Sequence, residues 1–140
     1  PAAYGLSNTI SVAAINIQNK LLESSNWGKK KVDLVAPGEN IYSTLPKQRY
    51  GYMSGTSQAT AFVTGVAALL LAKNPNLTAH DLKRIILETV DPLPSVKDKV
   101  ASGGRVNAYR ALISLQGSAA PKPLLTDSIG RKPVSIIDSF

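Results

Sequence analysis

The stretch Gly55-Thr56-Ser57-Gln58-Ala59-Thr60-Ala61-Phe62-Val63-Thr64-Gly65-Val66-Ala67-Ala68-Leu69-Leu70-Leu71-Ala72 constrains the fold of this chain more than any other. A tight Gly-Thr-Ser turn runs straight into a long apolar segment with small residues at Ala59, Ala61, Gly65, Ala67 and Ala68. As a helix, the segment places Ser57 at its N-terminal end, where free backbone N–H groups and the helix dipole favour developing negative charge. A serine so placed suits a nucleophile whose reaction generates an oxyanion. A plain N-cap, Thr56 or Ser57, in front of a buried helix accounts for the same residues. On this stretch alone both readings stand.

The segment does not read as a membrane span, because polar Thr64 and small residues break it short of the roughly 18 apolar residues a span needs. With 140 residues, 44% hydrophobic and 18% charged, the chain fits one globular domain with a real core. The absence of cysteine excludes disulfides, thiol catalysis and any Cys-based zinc site. Sixteen Lys and Arg against nine Asp and Glu give a net charge of +7, which raises the question of an anionic partner. The cations are scattered, however, and only Lys29-Lys30-Lys31 forms a run, without aromatic interleaving. That pattern predicts a solvated loop rather than a phosphate track, and no nucleic-acid partner. The chain opens on Pro1 with no basic and apolar leader behind it, and reads as starting inside a larger chain.

Thr9-Ile10-Ser11-Val12-Ala13-Ala14-Ile15 turns from alternation to a continuous apolar run, as strands buried on both faces do in an α/β layer. Polar residues 16–31 predict a surface loop, with Trp27 as a packing anchor. Val32-Asp33-Leu34-Val35-Ala36 predicts a second strand, stopped by Pro37-Gly38. Ile41-Tyr42-Ser43-Thr44-Leu45 predicts a third, followed by a loop from Pro46 to Tyr52. The long helix should end near Lys73-Asn74, since Pro75 cannot continue it. Thr78-Ala79-His80-Asp81 resembles a capping box, and Leu82, Ile85, Ile86 and Thr89 behind it share one helical face. Residues 90–99, with Pro92 and Pro94, predict a loop. Asn107 can cap a last helix from Ala108 to Leu115. From Gly117 onward prolines such as Pro121 and Pro123 and small polar residues leave little to bury, so 117–140 reads as a tail or linker.

Serine acyl transfer needs a base, an orienting acid and oxyanion donors around the nucleophile. The one histidine, His80, lies beyond a helix of about 25 Å and is expected to be an exposed helix-start residue. Ser57 therefore has no base within this chain. Gly55-Thr56-Ser57-x-Ala59-Thr60, followed by Val63 and Gly65, resembles the serine-nucleophile motif of the subtilisin-like serine proteases. The blocks Pro1-Ala2-Ala3-Tyr4, Ile10-Ser11-Val12-Ala13-Ala14, Ser25-Asn26-Trp27-Gly28 and Val32 to Gly38 resemble successive blocks of that family in the same order. Gly104-Arg105-Val106-Asn107-Ala108 resembles its closing block.

The resemblance implies a partial subtilisin-like three-layer α/β fold, with a parallel sheet and the nucleophile at the start of a buried helix. It makes residues 1–116 the C-terminal part of a peptidase catalytic domain, without the Asp, His and oxyanion Asn that the family carries earlier in its sequence. Ser57 matches the nucleophile that would attack a peptide carbonyl and form an acyl-enzyme. Its own N–H matches one oxyanion donor, and Thr56 matches a residue whose hydroxyl supports that site. Met53 and Ser54 match the leaving-group side of the substrate cleft, and Pro1 and Ala2 the edge of the main specificity pocket. The implied partners are a protein or peptide substrate and the remaining N-terminal part of the catalytic domain. The implied setting is secreted, periplasmic or cell-surface. Ala2 and Tyr4 match a stretch whose carbonyls form a weak cation site in some members; calcium belongs to full-length members, and no cofactor or metal is expected in this chain. Two residues depart from the motif: Ala61 stands for its usual proline, which should soften the start of the helix, and Phe62 for its usual histidine. A catalytically inactive fragment of such a protease, acting by protein–protein association, is the alternative.

Overall fold

The strands at the centre of the fold come from the continuous apolar runs, and they are buried on both sides as such runs require. The computed structural model describes residues 2–116. In chain order the elements are β1 (Val12–Ile15), β2 (Leu34–Pro37), β3 (Ile41–Leu45), β4 (Arg49–Met53), α1 (Thr56–Lys73), α2 (Ala79–Glu88), β5 (Asp91–Pro92), β6 (Gly104–Arg105) and α3 (Ala108–Ile113), with short 3-10 turns at Ala2–Tyr4 and Pro94–Val96. The main sheet runs β1-β2-β6-β5. β1 and β2 are parallel, with Val12 opposite Leu34 and Ile15 opposite Pro37; β6 joins β2 in parallel and β5 closes the edge antiparallel.

The sheet's two faces fill two cores. On one, Ala14, Leu34 and Ala36 meet Ala59, Val63, Val66 and Leu70 of α1 and Ile85 and Ile86 of α2. On the other, Ala13, Ile15 and Val35 meet Val96 and Val100. Alternate residues of one strand thus serve opposite layers, as the period of two demands.

The mixed α/β architecture is the expected one, but α1 is buried on one side only. Its buried residues follow a 4-3-4 spacing that makes a single stripe. Apolar residues on its other flank are open, Phe62 at 44% and Leu69 at 49% exposure. Within the described residues the sheet covers one face of the helix and nothing covers the other.

Several segments expected to be loops hold more order than that. The segment after β3 is not a loop but the strand β4, which pairs antiparallel with β3 as a separate hairpin, Tyr42 opposite Tyr52 and Leu45 opposite Arg49. The turn residues Lys47 and Gln48 take positive φ without glycine, which hid the hairpin. Residues 90–99 contribute β5 and the turn Pro94–Val96 rather than a plain loop. Trp27 is not a packing anchor: it is 57% exposed, with the Lys99 ammonium 4.2 Å from its ring centre. The tail or linker expected for 117–140 lies outside the described residues.

Two caps form as the local sequence dictates. The Thr78 hydroxyl accepts from the Asp81 N–H at 3.2 Å, and the Asp81 carboxylate accepts from the Thr78 N–H at 3.0 Å. The same hydroxyl and amide hold the Asp81 carboxyl below the usual carboxylate range. At α3, which ends at Ile113 rather than Leu115, the Asn107 side-chain oxygen accepts from the Arg110 N–H at 2.9 Å.

Asn107 is itself oriented by Asp91, whose carboxylate accepts from its side-chain amide at 2.9 Å. Arg105 pairs with the same carboxylate at 3.1 Å and Arg110 at 3.6 Å. The Asn107 hydrogen bond first, and then Arg105 and Arg110, lower the Asp91 pKa. A carboxylate whose pKa is depressed by folding stabilises the native state above its unfolded value of about 4, and that contribution is lost as pH falls through the folded value. Denaturant midpoints taken downward from about pH 5 are therefore expected to fall less steeply in Asp91→Asn than in the parent. Parallel slopes would show that this carboxylate carries no acid-linked stability.

Candidate active site

Ser57 is placed by contacts that begin far from it in sequence. At the end of β2 the chain turns at Gly38, whose N–H donates to the Ile15 carbonyl at 3.0 Å. The Gly38 carbonyl then accepts from the Gly55 N–H at 2.7 Å. This bond fixes the turn before α1 against the C-terminal ends of β1 and β2. Gly55 is the residue immediately before the helix, at φ 156°, a region that favours glycine. From the other side β4 delivers the chain to Ser54, whose hydroxyl accepts from the Asn40 N–H at 2.8 Å. Thr56 and Ser57 are then the first two residues of α1.

Gly55 holds the N-cap position without a side-chain cap, and among the described residues no side chain bonds the first-turn amides. The N-cap role for Thr56 or Ser57 is not what the structure shows. Thr56 is half-buried, while Ser57 is exposed and its hydroxyl has no hydrogen-bond partner among the described residues. First-turn amides, the Ser57 N–H among them, have no intrahelical acceptor by geometry. An exposed hydroxyl beside free donors and the positive end of an 18-residue helix is an arrangement that can stabilise an oxyanion on an attacked carbonyl.

An open groove of about 760 Å³ runs from Ser57 along the uncovered flank of α1, lined by Ile41, Ser43, Phe62, Gly65 and Leu69. Its lining is largely apolar, with the serine at one end. Met53 and Ser54, expected on the leaving-group side, are both exposed at the mouth of the Ser57 turn. Ala2 is exposed in the turn Ala2–Tyr4. Pro1, expected beside it, lies outside them. Ala61 is the sixth residue of α1, past the first turn, so its N–H bonds within the helix and the start of the helix is not softened there. Phe62 forms part of the groove floor.

His80 is exposed at the second position of α2. The whole length of α1, about 27 Å at 1.5 Å per residue, separates it in the chain from Ser57. It supplies no base. Among the described residues no three of His, Cys, Asp and Glu gather as a metal site.

Asp33 is a polar residue to which the sequence alone assigns no role. Its carboxylate accepts from the Ser11 N–H at 2.7 Å and pairs with Lys83 at 3.2 Å. Lys83 also donates to the Thr9 carbonyl at 2.6 Å. A charged residue within the apolar run 32–36 was the available signal.

The family model described as the subtilase family matches residues 1–116. A polypeptide of the subtilase cytotoxin of Escherichia coli is 45% identical over 91 residues, a match covering 65% of this chain and 26% of that protein. A thermophilic serine proteinase of Bacillus sp. (strain AK1) is 40% identical over 112 residues, covering 80% of this chain and 26% of that protein. A solved structure of the subtilase cytotoxin SubAB assembly superposes with a TM-score of 0.73 at 38% identity, over 81% of this chain and 41% of that one. The chain thus spans about a quarter of the length of these two curated relatives.

Proposed function

The chain belongs to the subtilase family, and from that premise we propose that it supplies the nucleophile of a serine endopeptidase. In this reading the Ser57 Oγ attacks the carbonyl carbon of a protein or peptide substrate as its proton passes to a base; the C–N bond then breaks, the amine leaves with that proton, and an acyl-enzyme remains. The carbonyl oxygen becomes an oxyanion that the Ser57 N–H stabilises, and Thr56 supports that site. The observation that carries the reading is the Ser57 turn itself: an exposed hydroxyl, without a hydrogen-bond partner among the described residues, at the positive end of α1 and clamped through Gly55 to Gly38.

The base, the acid that orients it and the side-chain oxyanion donor come, in this proposal, from polypeptide outside residues 1–140. The open flank of α1 supports this. A helix apolar all round is normally covered all round, and Phe62 and Leu69 are not. Residues 1–116 would then be one part of a catalytic domain that acts at a secreted, periplasmic or cell-surface location. Met53, Ser54 and Ala2 would border its substrate cleft.

Two deficits follow for the 140-residue chain alone. Without a base the serine hydroxyl keeps its proton, and loss of an oxyanion donor costs about 3 kcal/mol, a magnitude established on subtilisin itself. The isolated chain is expected to show no turnover of a fluorogenic peptide, while the longer protein that carries it does. Turnover by the purified chain, free of contaminating protease, would overturn the division of labour proposed here.

The same open groove supports a second reading, an inactive fragment that associates with another chain through this face. Light scattering on a dilution series separates the two. A monomer that persists on concentration speaks against the associating fragment.

A further inference from the structure

A pocket of about 40 Å³, the size of one water or small ion, sits beside the turn Ala2–Tyr4 and is walled by Thr9, Ser11, Lys30, Lys31, Asp33 and Lys83 among others. It takes in Ala2, one of the two residues, Ala2 and Tyr4, whose carbonyls the family resemblance gives to a weak cation site. A hard metal cation asks for several free oxygens, anionic where they can be. Three backbone oxygens around it and its one carboxylate already have partners. The Ala2 carbonyl accepts from the Ser11 hydroxyl at 2.5 Å, the Ala3 carbonyl from the Lys31 ammonium at 3.0 Å, and the Thr9 carbonyl from the Lys83 ammonium at 2.6 Å. The Asp33 carboxylate is paired with Lys83. The wall carries three lysines against one aspartate, so a metal cation would meet net positive charge. These residues do not fit a metal.

We propose that the ammonium groups of Lys31 and Lys83 replace the cation at this pocket. An ammonium offers three N–H donors on a compact positive charge and can serve carbonyl oxygens as an ion would. The difference lies in linkage. A bound ion stabilises in proportion to the logarithm of its concentration over its dissociation constant, whereas a lysine is always present. Lys31 ties the turn to the approach of β2, and the Lys83–Asp33 pair ties that approach to α2. The order of the segment around Ala2 is then independent of added salts of calcium or potassium. This inference goes beyond the protease reading and does not depend on it.

Amide hydrogen exchange on the intact protein that carries this chain reads the segment 2–6 directly. Its exchange is expected to be the same with a chelator as with added calcium or potassium. Lys31→Met is expected to speed exchange in 2–6 by about fivefold, the scale of one exposed charge-assisted hydrogen bond, and Lys31→Arg to leave it near the parent rate. Unchanged exchange in Lys31→Met, or parent exchange that slows several-fold when calcium or potassium is added, would overturn the proposal. Should Lys31→Met loosen the whole protein, Lys31→Arg in chelator decides: protection kept in 2–6 supports the ammonium as the built-in cation, and protection lost refutes it.

Discussion

Replacing Ser57 with alanine in the protein that carries this chain is expected to abolish labelling by a serine-directed fluorophosphonate and to lower kcat by about 10⁶-fold, the magnitude measured for removing the serine of subtilisin. The same change should leave stability within about 0.5 kcal/mol, the range of surface substitutions that break no special contact. That pairing of effects separates the two roles open to this serine. A capping serine would cost about 1 kcal/mol on truncation, but the N-cap position belongs to Gly55 and among the described residues no side chain bonds the first-turn amides. Full labelling of the alanine variant, or a loss of activity explained by unfolding, would remove Ser57 from the chemistry.

Gly38→Ala should damage the same site from a distance of nineteen positions in the chain, as the numbering of Gly38 and Ser57 shows. A methyl group on Gly38 would lie 2.6 Å from the Ala14 Cβ, 2.7 Å from the Gly55 carbonyl oxygen and 3.2 Å from the Ala59 Cβ. None of these atoms ends a flexible side chain. The strand, the turn or the start of α1 must move, and overpacking of this kind costs about 1–3 kcal/mol. Movement of Gly55 carries Ser57 with it, and a displacement of about 1 Å at reacting groups can cost about 100-fold in rate. The expected result is a fall in the fluorophosphonate labelling rate well beyond the loss of folded protein, read from labelling kinetics beside a denaturant curve. A destabilised variant that labels at the parent rate per folded molecule would show that the Gly38–Gly55 contact does not position the serine.

Legibility in the sequence followed the range of the interactions. The Thr78 capping box, the Asn107 cap and the stop of α1 at Lys73 before Pro75 rest on neighbours within a few residues, and each was readable. β3 and the apolar cores of β1 and β2 were also readable, because pleat and burial mark each strand separately. β4 is not legible in the sequence, although Tyr50 and Tyr52 alternate around Gly51. Its strand character depends on pairing with β3, and its turn lacks the usual glycine. The exposure of Trp27 is not legible in the sequence, because an aromatic ring in a polar loop can pack or lie open, and Lys99, distant in sequence, meets its ring.

The sequence by itself determined that an apolar helix follows a Gly-Thr-Ser turn, that Ser57 lies at its start, and that the one histidine follows the whole length of that helix in the chain. Those statements need only residue types, periodicity and the reach of a helix. Tertiary structure decided the rest: that Gly55 rather than a hydroxyl holds the N-cap, that Gly38 anchors the turn, and that α1 shows an open apolar flank. It also showed that Lys83 meets Asp33 and Thr9. Each depends on surfaces brought together from separate strands and helices, where burial and hydrogen-bond partners are set by packing and not by the local order of residues.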